Sequence, residues 1–254
     1  RNSPNSQLPT LMLGSTQFDT LEQALKHYFG YDEFRSGQRE IITTALANRD
    51  LLVVMPTGGG KSLCFQLPAL LKQGVTIVVS PLIALMQDQV QLLANNGIPA
   101  TFLNSSITTE ERRDRAAAIY NGEVKLLYLA PERLNQEFIT NFLVGLHQEI
   151  GIAGFAIDEA HCVSEWGHDF RPDYRKLSQL RHYFPKVPWL GLTATATDRV
   201  RQDIIKQLDL REPDIHIASF NRPNLYYEVR RKSTTPYQEL LAQVKQSTGS
   251  GIIY

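Results

Sequence analysis

The sequence predicts an α/β fold, a doubly wound, mainly parallel sheet with helices on both faces. Two observations carry this. Short continuous runs of Val, Ile and Leu recur at Leu51–Met55, Val75–Val79, Lys125–Leu129, Ile152–Ile157 and Val187–Leu192, with a weaker run at Ala100–Leu103. Unbroken apolar runs are what strands show when helices cover both of their faces. Between them lie amphipathic stretches, at 62–72, 82–96, 108–120, 136–146, 173–184 and 197–209. Such alternation means βαβ units, whose right-handed crossovers give a parallel sheet. At 43% hydrophobic and 20% charged, the 254 residues hold enough apolar mass for a sizeable core, unlike a disordered, collagenous or disulfide-stapled chain.

Taken in order, the first fifteen residues are polar and proline-bearing and form a tail, 1–15. A helix from Asp19 to Phe29 is closed by Gly30, and Thr108 with Glu111 makes a capping box for a later helix. After the last amphipathic stretch, the Arg211–Pro213 turn leads to Ile215–Ser219 and then to the Asn221-Arg222-Pro223-Asn224 turn. The domain boundary falls there: 16–218 is one domain, and 219–254 begins a second with a strand, a helix at Pro236–Gln246 and a further buried strand. Arg1 in place of Met and the apolar Gly-Ile-Ile-Tyr end suggest a segment of a longer chain.

Several classes are disfavoured. Two cysteines, Cys64 and Cys162, cannot supply a four-thiolate zinc site and point to a reducing, intracellular setting. The apolar stretch Val75–Met86 is too short to span a bilayer, so no membrane partner is expected. With 26 Lys+Arg against 26 Asp+Glu, composition offers no reason to expect a nucleic-acid partner. The motifs point elsewhere.

Leu51–Met55 runs at once into Pro56-Thr57-Gly58-Gly59-Gly60-Lys61-Ser62 and then into a helical pattern. Strand, glycine loop and helix form a phosphate cradle, because glycines let backbone N–H groups turn inward and the helix presents its positive end. Lys61 would reach the β- and γ-phosphates and the Ser62 hydroxyl would hold Mg²⁺. The strict pattern has Gly where this chain has Met55, which argues against small GTPases and kinases of that loop type.

A second apolar run ends in Asp158-Glu159-Ala160-His161. Acids leaving the carboxyl end of a buried strand stand beside the phosphates of an open α/β fold. Asp158 would hold Mg²⁺, and Glu159 would orient and deprotonate an attacking water. Alone, such a pair is more often a solvated helix start.

These residues, together with Thr193-Ala-Thr-Ala196, resemble superfamily 2 helicases of the DEAH type. Tyr31-Asp-Glu-Phe-Arg35-Ser-Gly-Gln38 upstream, and Cys162-Val-Ser-Glu-Trp-Gly-His-Asp-Phe-Arg-Pro-Asp-Tyr174 downstream of the acidic box, narrow the likeness to the RecQ DNA helicases, from about Leu21 to Tyr254. The resemblance implies a RecA-like P-loop NTPase domain and the start of a second one. Its expected activity is ATP-dependent 3′–5′ translocation on single-stranded DNA and duplex unwinding in repair and recombination. ATP and Mg²⁺ are the implied cofactors; the family's zinc region and its arginine finger lie beyond the part this chain matches, so these residues alone should hydrolyse ATP poorly. Single-stranded and partly duplex DNA are the implied partners, with other repair proteins. The compartment would be cytoplasm or nucleoid in a bacterium, nucleus in a eukaryote.

By position, Tyr31, Arg35 and Gln38 would contact adenine, with stacking from the ring and guanidinium and edge recognition from the amide. Trp166, His168, Phe170 and Arg171 would belong to a loop that senses single-stranded DNA by stacking. His161, Thr193 and Thr195 would couple the nucleotide to that loop, while Ser80–Gln89 and Ala130–Leu134 would line the strand. Arg112, Arg113 and Arg115, set among acids, read instead as a solvated salt-bridged face. Two other functions stay open: a nucleotide-gated clamp that does not unwind, and an RNA-directed DEAH-type helicase.

Overall fold

The computed structural model describes residues 11–13, 16–134, 136–219, 221, 225–229, 231 and 234–253, with backbone alone at 11–13, 16 and 17. The chain divides into two units, Arg1–Phe220 and Asn221–Tyr254. The first holds β1 (Leu11–Leu13), β2 (Thr16–Phe18), α1 (Leu21–Phe29), α2 (Gln38–Leu46), β3 (Leu51–Val54), α3 (Leu63–Leu71), β4 (Val75–Val79), α4 (Ile83–Asn95), β5 (Ala100–Leu103) and α5 (Thr109–Tyr120). It continues with β6 (Leu126–Leu129), α6 (Pro131–Leu134), α7 (Glu137–Glu149), β7 (Ile152–Ile157), a 3₁₀ turn (Ala160–Val163), α8 (Pro172–Arg175), α9 (Leu177–Tyr183), β8 (Trp189–Thr193), α10 (Asp198–Gln207) and β9 (Asp214–Ile217). The second unit contributes α11 (Pro236–Gln246).

Seven strands form one sheet in the order β5-β6-β4-β7-β8-β3-β9, and every pairing in it is parallel. The doubly wound α/β fold is therefore present, with the sheet wholly parallel. β3, β4, β6, β7 and β8 are buried along their whole length because successive side chains enter different layers. Ile77, Leu127, Phe155 and Trp189 meet Ile119, Leu143, Leu180 and Ile204 from α5, α7, α9 and α10. On the other face Val53, Val78, Tyr128 and Leu192 meet Ile41, Phe65, Met86 and Leu93 from α2, α3 and α4. α1 lies outside this layer, with Leu21 and Leu25 packed on Ile42 and Leu67.

At the amino ends of the strands, Asp50 binds three elements. Its carboxylate pairs with Arg181 and accepts the backbone N–H groups of Trp189 and Arg211, each at 2.8 Å. Arg181 in turn donates to the Val187 carbonyl at 2.8 Å. Both side chains are buried.

Several sequence expectations change. α2 was not anticipated, nor was the β1–β2 hairpin. The 173–184 stretch divides at Lys176 into α8 and α9. Residues 225–229 and 251–253 are not strands; a strand needs a paired neighbour, and the described residues of the second unit offer none. The expected turn residues Arg222–Asn224, like most of the 1–15 tail, lie outside the described residues. Arg115, read as part of a salt-bridged face, lies over the Phe102 ring at 4.1 Å and donates to the Phe102 carbonyl at 2.9 Å. Among the described residues, no helix is long and apolar enough to cross a membrane.

Candidate functional site

The sheet order places three strand ends side by side. β3 delivers the glycine loop, β8 ends at Thr193, and β7 delivers Asp158. The Met55 N–H donates to the Thr193 carbonyl at 3.0 Å and the Asp158 N–H to the Val79 carbonyl at 2.9 Å, so the strand exits are fixed to one another.

Within the loop, Gly58 and Gly60 have φ of +79° and +84°, a region open to glycine and strained for other residues. At Gly60 a side chain would also collide with the Gln38 amide. Lys61 folds back to donate to the Met55 carbonyl at 3.3 Å. Ser62 caps α3 without spending its hydroxyl on the helix. Thr57 and Gly58 are exposed at the loop's crest.

α2 carries Gln38 under this loop. The buried amide donates to the Gly60 carbonyl at 3.2 Å and the Gly59 carbonyl at 3.4 Å, while its oxygen accepts from the Arg35 N–H at 2.8 Å. The Arg35 guanidinium donates to the Gly58 carbonyl. Tyr31, Arg35, Gln38 and Gly60 share a cavity of about 300 Å³ with Leu92 of α4 and its C-cap Asn96, and Tyr31 exposes its ring. The three residues expected around adenine are thus brought together beside the loop. A larger cavity of about 560 Å³ opens among Thr43, Lys72, His147 and Pro188 at the opposite ends of the strands, away from any glycine loop.

The two acids are placed differently. Asp158 is buried, and its backbone carbonyl is held by the Tyr174 hydroxyl at 3.0 Å. Burial, and then the Glu159 charge, push its carboxyl up to about 6. Glu159 sits in the left-handed region at φ 48°, ψ 46°, a strain of order 1–3 kcal/mol that a non-glycine residue tolerates only where its surroundings impose it. A hydrogen bond from His161 holds its carboxyl below the usual range despite burial. One acid stays ionised, while its neighbour is a buried carboxyl whose charged form burial disfavours. Asp158 with Ser62 offers the hard oxygen donors that suit Mg²⁺.

This burial has a testable cost. The folded chain holds the Asp158 proton more tightly than the unfolded chain, so stability falls as pH rises from about 4 to about 6 and stays lower above. Asp158→Asn should therefore raise the unfolding free energy at pH 7.5, without Mg²⁺, by up to about 3 kcal/mol, with the difference closing near pH 4. Denaturant titrations at the two pH values measure it; equal midpoints at pH 7.5 would refute the assignment.

His161 joins the acids to β8. Its Nδ1 lies 2.9 Å from the Thr193 hydroxyl oxygen and 3.3 Å from the Glu159 carboxylate. A carboxylate only accepts, so Nδ1 is the nitrogen that donates toward Glu159. Thr193 extends the chain by donating to the Thr195 carbonyl at 3.2 Å.

The loop after the box is folded tightly on this histidine. A Cβ at Gly167 would lie 2.5 Å from the His161 carbonyl oxygen, so only glycine allows the approach. The His168 ring stacks on His161 at 4.2 Å and 17°. Arg171 pairs with Asp169 at 3.0 Å and donates to the Pro81 carbonyl at 3.2 Å. Phe170 lies 5.1 Å from the Arg175 guanidinium. Trp166 is 57% exposed, and the Arg199 guanidinium covers its indole at 3.2 Å from the ring centroid. Of the four residues expected to meet DNA, Trp166 and His168 are exposed, while Phe170 and Arg171 are partly engaged inside the protein. Arg199 was not anticipated, since it sits in a mixed charge run with no local pattern to mark it; Tyr174 was named as the end of the segment after the acidic box, but with no role.

A parallel sheet that brings a glycine-lysine loop and an acid pair together at its carboxyl edge defines a P-loop nucleoside-triphosphatase. The chain belongs to the DEAD/DEAH box helicase family, whose profile matches residues 35–204. Among individual proteins it is similar to "ATP-dependent DNA helicase RecQ" of Haemophilus influenzae, 48% identical over 92% of this chain and 37% of that protein. It is also similar to "ATP-dependent helicase SGS1" of Saccharomyces cerevisiae, 44% identical over 93% of this chain and 17% of the relative. The chain thus spans about a third of the bacterial relative's length. The DUF1998 helicase MrfA shares the fold, with a TM-score of 0.64 over 92% of this chain and 41% of that one at 17% identity.

Proposed function

We propose that this chain is the ATP-hydrolysing motor of a RecQ-type helicase that moves 3′ to 5′ along single-stranded DNA and unwinds duplexes. Residues 16–218 form the RecA-like motor domain and 219–254 begin the second, with DNA repair and recombination in an intracellular compartment as the setting. The observation that carries the reading is His161, hydrogen-bonded to Glu159 and Thr193 while stacked on His168 of the aromatic loop. A change at the γ-phosphate would reach the loop through one imidazole.

The chemistry follows from the placed residues. Backbone N–H groups of Gly58–Ser62 and the Lys61 ammonium cradle the β- and γ-phosphates, and Lys61 exchanges the Met55 carbonyl for phosphate oxygen. Tyr31 and Arg35 hold the base against the cavity wall, while Gln38 shapes the loop beneath it. Glu159 accepts the proton of the water that attacks the γ-phosphorus, and His161 fixes its carboxylate. Ser62 and Asp158 would hold Mg²⁺, which when bound neutralises phosphate charge. A DNA base would take the face of Trp166 that Arg199 covers.

The test compares hydrolysis by the full-length protein with single-stranded DNA and with RNA of equal length. DNA should stimulate strongly and RNA weakly; the reverse would favour an RNA-directed enzyme. Trp166→Ala should weaken single-stranded DNA binding about ten-fold, the loss of one stacked base. Unchanged affinity would remove the loop from the DNA path.

A further inference from the structure

We propose that His161, Cys162 and Asp169 form a site for a thiophilic divalent cation of the zinc type, and that its occupation clamps the aromatic loop to the acidic box and slows hydrolysis. The Cys162 sulfur lies 3.8 Å from His161 Nε2 and 3.8 Å from Asp169 Oδ2. The three donor atoms all fall within 4.8 Å of one another. Around one zinc ion, bonds of about 2.0–2.3 Å set tetrahedral donors roughly 3.3–3.6 Å apart, so the set closes when the loop draws in by up to about 1.5 Å at its widest pair.

A second observation is independent of the spacing. His161 Nδ1 faces the Glu159 carboxylate and the Thr193 hydroxyl, which leaves Nε2 as the nitrogen facing Cys162. A ligating histidine whose other nitrogen donates to a carboxylate is the arrangement that fixes imidazole toward a metal. Donors of nitrogen, sulfur and one oxygen suit zinc and reject Mg²⁺, which demands an oxygen shell. Asp169, its side chain about half exposed, gives the route in. On binding, the Cys162 thiol releases its proton to solvent, and Arg171 shares or yields its hold on Asp169 Oδ2. Loop and acidic box are then joined by metal bonds, which removes the freedom of the loop to move against the box during turnover. The binding claim stands on this geometry alone; the inhibitory claim rests on the hydrolase reading above.

Cobalt(II) is the probe, added to the 254-residue chain. A thiolate-to-cobalt charge-transfer band should saturate at a one-to-one ratio, disappear on adding Zn²⁺, and withstand excess Mg²⁺. Cys64, packed with Met55 in the opposite layer, is the internal control. Cys64→Ser should keep the band and Cys162→Ser should lose it. Asp169→Asn, at a half-exposed position, should weaken cobalt binding at least about ten-fold. No band, or a band surviving in Cys162→Ser, overturns the site. In the full-length protein, Zn²⁺ should slow Mg²⁺-dependent hydrolysis, and Asp169→Asn should blunt that inhibition at least about ten-fold. Equal inhibition of both proteins overturns the clamp, whereas absence of hydrolysis with Mg²⁺ alone overturns the motor assignment instead.

Discussion

Lys61→Ala is expected to lower ATP hydrolysis by the full-length protein about 10²–10³-fold, the usual consequence of losing a preorganised charge at a developing anion. Among the described residues the ammonium donates one hydrogen bond, to the Met55 carbonyl, so its removal should leave the fold intact. Nothing nearby replaces it. Gln38 and Arg35 are spent on the loop carbonyls, and Asp158 and Glu159 carry the wrong sign. The measurement is steady-state turnover at saturating single-stranded DNA, with unchanged thermal unfolding as the control. Turnover within a few-fold of the parent would show that phosphate binds elsewhere.

Asp50→Ala should be the most destabilising single change among the charged residues discussed, about 3–5 kcal/mol. The carboxylate takes hydrogen bonds from two backbone N–H groups and the Arg181 guanidinium, and its loss leaves all three donors without it. Arg181 is 2% exposed and, among the described residues, keeps the Val187 carbonyl as its one remaining hydrogen-bond acceptor, so an uncompensated charge would remain inside the protein. Pairing Asp50→Ala with Arg181→Met should recover part of the loss, because the stranded charge goes with its partner. Denaturant unfolding of the two variants decides it: a loss below about 1 kcal/mol for Asp50→Ala would mean the pair is not buried in solution.

What was legible in the chain was whatever local order encodes. The buried strands are unbroken apolar runs, so Val75–Val79 and Ile152–Ile157 were delimited to the residue. The capping box at Thr108 marked its helix because both partners lie within one turn. α2 escaped because it spans nine residues behind Gly37, which caps without a side chain, and its β-branched centre reads equally as strand. The site residues were named from motifs, but not their contacts. Gln38 points at the glycine loop rather than outward because α2 packs on α3, a tertiary fact. The Arg199–Trp166 pair spans 33 positions and two elements, and no periodicity records it. The ionisation of Asp158 and Glu159 was equally hidden: adjacent acids separate only through burial and through His161.

The chain holds two tryptophans in opposite settings. Trp189 is fully buried, 4.8 Å from Phe155 in a near-parallel stack at the heart of the sheet. Trp166 lies open at the surface beneath a guanidinium. The molecule therefore carries two intrinsic fluorophores with different reporting duties. Emission from the interior indole follows whether the sheet is intact, and emission from the surface indole follows what covers it. Single-tryptophan variants would separate folding from ligand occupancy with no attached dye.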